Sequence, residues 1–260
     1  MKRISAFAYG IACYGVFFAT LLYAIGFLGN FGVAKSIDAG PEGGSTLTAL
    51  AIDGALLALF ALQHSIMARP WFKRAWTRIV PEPVERSTYV LTSSLALLLM
   101  FWQWRPIGGV VWRIDSGIAE AVILGLFAAG LLIVLLSTFL INHFDLFGLR
   151  QPYLYMTGRR YTHLEFRTPF FYRYVRHPLY VGWLLTFWSA PVMTAAHLFF
   201  AAMTTAYILV AIQFEEADLI TLHGEKYRRY QKQVPMIIPA LGPNLTPGRE
   251  AVSKDIAVLN

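Results

Sequence analysis

The sequence predicts an all-α fold, a polytopic transmembrane helical bundle of five to six spans that ends in a C-terminal helical hairpin. Three observations predict it. Of 260 residues, 57% are hydrophobic and only 14% charged, where a soluble domain carries roughly 25% charged residues. The apolar residues come in blocks about as long as a bilayer core is thick, which roughly 20 helical residues cross. Lys and Arg gather in every second segment between these blocks, the asymmetry that orients membrane helices.

The first block covers residues 4–28. It follows Lys2-Arg3 and is too long for a signal-peptide core, so an uncleaved first helix is expected. Further blocks lie at 47–68, 88–104 and 118–141. A fifth apolar stretch, Leu179–Phe214, has Pro191 near its middle. Proline cannot donate the helical hydrogen bond, so the stretch reads as a tight helical hairpin turning near Pro191–Ala196. No segment shows strand-like alternation.

On this count 19 of the 22 Lys and Arg residues fall on one side: at the N-terminus, in 69–86, in 142–177 and after 214. Lys35, Arg105 and Arg113 fall on the other. The distribution places both termini on the cytoplasmic side of the membrane. It also accounts for the net charge of +7 without nucleic acid. One domain is expected over 1–240, with a loosely packed tail at 241–260. The stretch Asp38–Ser45 has the composition of a flexible loop. A lone cysteine, Cys13, excludes an internal disulfide, and nothing suggests a metal site.

Ionisable residues at membrane depth are costly and usually face a protein interior or cavity. Asp53, His64, His143, Asp145 and His197 are such residues. Asp53 and His197 suit structural hydrogen bonds. His64 suits either a helix–helix contact or chemistry. Asn142-His143-Phe144-Asp145, with Arg150 and Gln151 just beyond, gathers polar groups at one interface.

The densest chemistry is C-terminal. Tyr172-Arg-Tyr-Val-Arg176-His177-Pro178-Leu-Tyr180-Val-Gly182 opens the hairpin. Pro178 suits a first helical turn, whose free N–H groups can receive an anion. On a helix, Arg173 and His177 share a face, as do His177 and Tyr180. Gly182 lets a ligand or another backbone come close. The hairpin returns Glu215 and Glu216 beneath this entry. Taken alone, these residues fit equally a cofactor site or an interfacial collar of paired charges.

Arg176-His177-Pro178-Leu179-Tyr180-Val181-Gly182, then Glu215-Glu216, then Gly224-Glu-Lys-Tyr227-Arg-Arg-Tyr230 and Val234-Pro235, resembles the C-terminal signature of integral membrane methyltransferases. That group includes the isoprenylcysteine carboxyl and phospholipid N-methyltransferases. Gln63-His64-Ser65-Ile-Met-Ala-Arg69-Pro70, Glu85-Arg86-Ser87 and Asn142–Gln151 resemble its NnrU-related branch. Met236 departs from the pattern, since the wider group commonly has an arginine there.

The resemblance implies that S-adenosylmethionine binds in about 170–240, with Arg176, His177, Pro178, Tyr180, Gly182, Glu215 and Glu216 as pocket residues. It implies methyl transfer to a small thiol such as methanethiol, giving dimethyl sulfide. The thiolate is the nucleophile, so a base is expected among His143, Asp145 and His64, with Arg150 stabilising charge. Two alternatives stay open: a lipid or prenyl acceptor, which needs a lateral apolar opening, and a haem or redox-accessory protein using His64 and His143.

Overall fold

The computed structural model describes residues 2–40, 45–162 and 164–239. The 241–260 tail and the middle of the 38–45 loop lie outside the described residues. Helix α1 (Arg3–Gly29) and helix α2 (Thr46–Ala68) fill the first two apolar blocks. Ser45 caps α2, its Oγ accepting from the Thr48 N–H at 3.2 Å. A short helix α3 (Pro70–Trp76) follows, with Pro70 in its first turn.

Helix α4 (Glu82–Gln103) starts six residues before its apolar block. Pro83 in the first turn and the acids Glu82 and Glu85 favour a helix N-terminus there. It packs against both α1 and α2 and buries Ser87, Ser93 and Ser94. A helix shielded by neighbours on two sides needs less apolar surface.

Strand β1 (Val110–Arg113) precedes helix α5 (Gly117–Ile141), which runs into α6 (His143–Leu146) and α7 (Arg150–Met156). Helix α8 (Pro178–Trp188), strand β2 (Val192–Thr194) and helix α9 (Ala195–His223) form the hairpin, and α10 (Glu225–Gln233) closes the described chain. The turn falls at 189–194, where Pro191 placed it. Among the described residues, α1, α2, α5 and α9 are long and apolar enough to cross a membrane. With its 11 residues, α8 rises about 16 Å, roughly half the hydrocarbon thickness.

The two strands correct the expectation of a chain without them. They pair antiparallel, Val110 with Thr194 and Arg113 with Val192, with an irregularity between Val110 and Trp112. Non-helical backbone near a membrane must find partners within the protein, and the hairpin turn finds them 80 residues upstream.

The core at this end is aromatic. Trp104 turns its edge to Phe27 and Phe200, with centroids at 6.1 and 5.8 Å, and its indole N–H donates to the Ile37 carbonyl at 3.1 Å. Asp53 accepts from the Arg105 backbone N–H at 2.9 Å. His197 Nε2 lies 3.0 Å from the Phe187 carbonyl, and Thr194 donates to Asp38. Both residues have the structural role expected of them.

The tightest helix pair is α5 with α8. A Cβ added to Gly182 would stand 2.7 Å from the Gly130 carbonyl and 2.8 Å from the Val134 nitrogen. The reverse holds for Gly130 against the Gly182 carbonyl. Two glycines facing each other bring the backbones into contact.

Candidate active site

The site is built where α8 and α9 meet α10. Arg173 ends a 3-10 turn (Phe170–Arg173), and α8 begins only at Pro178. The expected helical face of Arg173, His177 and Tyr180 is therefore not formed. The residue before a proline is driven out of helical backbone, so His177 caps α8 instead of belonging to it. His177 and Tyr180 still meet, with rings 5.6 Å apart.

Glu216 is the hub. Its Oε1 accepts from Arg176 Nε at 2.6 Å, His177 Nε2 at 3.0 Å and Tyr227 Oη at 3.3 Å. Its Oε2 accepts from Gln231 Nε2 at 2.9 Å. Burial, with the Glu216 charge beside it, pushes the Tyr227 hydroxyl up from its usual range, so it remains a donor. Arg176 also donates from Nη1 to the carbonyls of Gln231 and Val234. The backbone N–H groups of Arg176 and His177 reach the carbonyls of Pro235 and Met236 at 2.9 and 3.1 Å. One buried carboxylate thus fastens α10 and the 234–236 segment onto the start of α8. The Met236 contact uses its carbonyl.

Glu215 is different. Its side chain is 44% exposed against 10% for Glu216. Tyr180 Oη donates to its Oε2 at 2.9 Å, and its remaining capacity faces outward. Of the pair, Glu215 is the carboxylate with room for a cationic ligand.

His64 sits close by. Tyr89 Oη lies 3.0 Å from both of its ring nitrogens and Ser93 Oγ 3.3 Å from Nδ1. Tyr89 is in turn within electrostatic reach of Glu215, Tyr207, Arg69 and Arg86. Arg86 places its guanidinium over the Tyr89 ring at 4.8 Å. Arg69 pairs with Asp218 at 2.8 Å, one turn beyond Glu215. The structure therefore gathers His64, Tyr180 and Glu215 into one polar region.

His143, Asp145 and Arg150 form a separate group. Tyr14 Oη lies 2.7 Å from His143 Nε2, Thr138 Oγ1 lies 2.8 Å from Nδ1, and Phe139 stacks on the ring at 4.3 Å. Burial pushes this imidazole below its usual range. Asp145 accepts from Arg150 Nη1 at 2.9 Å and Gln151 Nε2 at 3.2 Å. Among the described residues no hydrogen bond or ion pair joins this group to His64 or Glu215. The expected single cluster of His64, His143, Asp145 and Arg150 is thus two. The haem alternative needs His64 and His143 to face one site, and the two stand in separate groups.

Gly182 meets a backbone, one of the two close approaches its sequence position allowed. The close approach it permits is to α5. Sequence reasoning did not single out Tyr89, Tyr207, Tyr227 or Gln231 for the site. Tyr227 and Gln231 are four apart, so they share one face of α10; that spacing was a usable signal. Tyr89 and Tyr207 gave none, being single tyrosines in apolar helices.

Fold and site together define a helical integral membrane protein with a carboxylate-centred polar site between its C-terminal helices and α2. The chain is 59% identical to "Methanethiol S-methyltransferase" of Crocosphaera subtropica over 93% of its length and 94% of the relative. It is 48% identical to the Mycobacterium tuberculosis protein of the same name, over 92% and 98%. This chain belongs to the methanethiol S-methyltransferase family. Rat nurim is a more distant relative, 31% identical over 72% of this chain. No family model matches the chain, and no solved structure does.

Proposed function

We propose that this chain is an S-adenosylmethionine-dependent thiol S-methyltransferase that converts methanethiol to dimethyl sulfide. The substrate follows the family. The observation that carries the site is the division of labour between the two acids, Glu216 saturated by four side chains and Glu215 open beside Tyr180 and the His64 region. The charge distribution along the sequence supports a cytoplasmic position for it.

The donor set fits the cofactor. An open carboxylate suits an α-amino group, and aromatic faces attract a sulfonium. Glu215 and Tyr180 are assigned the direct contacts. Arg176, His177, Pro178 and Glu216 hold the α8 start and α10 in place around them. When bound, S-adenosylmethionine supplies a methyl group on a positively charged sulfur.

The remaining work falls to the protein. His64 is positioned to take the thiol proton at a ring nitrogen, leaving the thiolate that is the competent nucleophile. Two guanidinium groups, Arg69 and Arg86, lie within electrostatic reach of His64. They favour a thiolate there and disfavour a lasting imidazolium, so His64 relays the proton and does not store it. Holding nucleophile and methyl carbon in line lowers the entropic part of the barrier. His143, Asp145 and Arg150 brace the cytoplasmic ends of α1, α5 and α7.

Headspace gas chromatography of purified protein given methanethiol and S-adenosylmethionine tests the assignment. Dimethyl sulfide is expected from the wild type, with a raised KM for the cofactor in Glu215→Ala. No product from the wild type overturns the thiol reading. One observation favours a rival acceptor: an apolar groove of about 490 Å³ between Leu184, Leu209 and Pro235–Ile238, the lateral opening a lipid would use. Methyl label from the cofactor appearing in membrane lipid, and not in thioether, would establish that reading instead.

A further inference from the structure

Resting on the thiol reading above, we infer that Phe60 and Tyr207, on opposite sides of the seam between α2 and α9, set the largest thiol that can reach His64. Phe60 and His64 are four residues apart on α2 and share a face. Their rings stack with centroids 5.2 Å apart. Tyr89 approaches the same imidazole at 5.1 Å. Tyr207, from α9, meets Phe60 edge to face at 6.3 Å. Its hydroxyl lies 3.1 Å from Ser65 Oγ, on the residue next to His64.

Tyr207 also lies between the two halves of the reaction. It is eight residues before Glu215 on α9, and it is within electrostatic reach of Glu215 and Arg69 and of Tyr180. A thiol delivered to His64 and aimed toward a donor held at Glu215 must pass these rings. Aromatic side chains have two torsions and yield little when packed. The Ser65 contact holds Tyr207 further. A second polar link, Arg69 to Asp218 at 2.8 Å, ties the same two helices together, so the seam does not widen without breaking a contact.

The wall beside His64 is therefore rigid and close. A methyl group on sulfur is the smallest organic substituent a thiol can carry. Each added methylene must displace Phe60 or part Tyr207 from Ser65. Apolar pockets discriminate by about 10- to 200-fold per methylene.

The test is a thiol series with full-length protein in detergent, comparing kcat/KM for methanethiol, ethanethiol and 1-propanethiol by headspace detection of each methyl sulfide. Phe60→Ala and Tyr207→Ala are expected to raise the ethanethiol-to-methanethiol ratio about tenfold or more. Tyr207→Phe, which keeps the ring, should raise it far less. Val210→Ala, on the exposed face of α9, serves as the control and should leave the ratio at the wild-type value. Wild-type ratios in both alanine variants overturn the inference. If either alanine variant is inactive, Phe60→Leu and Tyr207→Leu are read in the same way, and unchanged ratios there overturn it equally. Dimethyl sulfide from the wild type with unchanged ratios in the variants sinks this inference alone. Its absence from the wild type sinks the thiol reading too.

Discussion

Glu216 and Arg176 form a pair across the site, Oε1 to Nε at 2.6 Å, with both side chains almost wholly buried. They stand 40 residues apart in sequence and join the two limbs of the hairpin at its open end. Removing the carboxylate leaves a buried guanidinium without its counter-charge, which typically costs about 3–5 kcal/mol. Glu216→Ala is therefore expected to lower the unfolding midpoint in detergent sharply. Glu215→Ala, which removes a half-exposed group, should leave that midpoint near wild type. Thermal unfolding of the two variants side by side checks the contrast.

The proposed function gives His64 and His143 different work. Loss of a general base usually costs about 10²- to 10⁴-fold in rate. His64→Ala is expected to lose activity on that scale, mainly in kcat, while keeping cofactor binding. His143→Gln should keep most of the turnover that its stability allows. Equal losses of kcat in the two would remove His64 from the proton-transfer role.

His143 also predicts a pH dependence of stability. Burial sets its pKa in the folded protein below the ordinary value of about 6.5. Between those two values the unfolded chain binds more protons than the folded one. Stability then rises with pH: the contribution is intact above about pH 6.5 and is lost as pH falls toward the lowered value. Unfolding midpoints measured from pH 7.5 down to 5 should fall more steeply for the wild type than for His143→Gln. Parallel curves would show that the imidazole does not carry the effect.

Gly182 makes a prediction about packing. An alanine Cβ there meets backbone atoms of Gly130 and Val134 at 2.7 and 2.8 Å, and backbone cannot swing aside. Overpacking of this kind costs about 1–3 kcal/mol. Gly182→Ala is expected to destabilise the protein whether or not cofactor is present. Gly15→Ala on α1, where nothing lies within 4 Å, should be neutral or slightly stabilising, since alanine is the better helix former. A Gly182→Ala protein with wild-type stability and only a raised cofactor KM would return Gly182 to the pocket.

Much of the architecture was legible because membrane helices announce themselves by length and apolarity. The blocks at 4–28, 47–68 and 118–141 differ by a residue or two from α1, α2 and α5. The hairpin was legible through Pro191, and with it the meeting of Arg176 and His177 with Glu216. The start of α4 was missed because its first turn is polar, and polarity is what helix N-termini favour. The β1–β2 pairing was missed because two short segments separated by a whole helix leave no local periodicity. The division of His64 from His143 was beyond the sequence for a similar reason. His64 lies near the C-terminal end of α2 and His143 just past that of α5, and position along a helix does not say which neighbour each ring faces.

The clasp that closes the site has a consequence for how such chains diverge. The His177 backbone N–H donates to the main-chain carbonyl of Met236, and the Met236 side chain has no part in that bond. The position can exchange an arginine for a methionine without loosening the fastening. Met236 lines the apolar groove, so a substitution there would change what that rim repels or admits while the main-chain fastening stays intact.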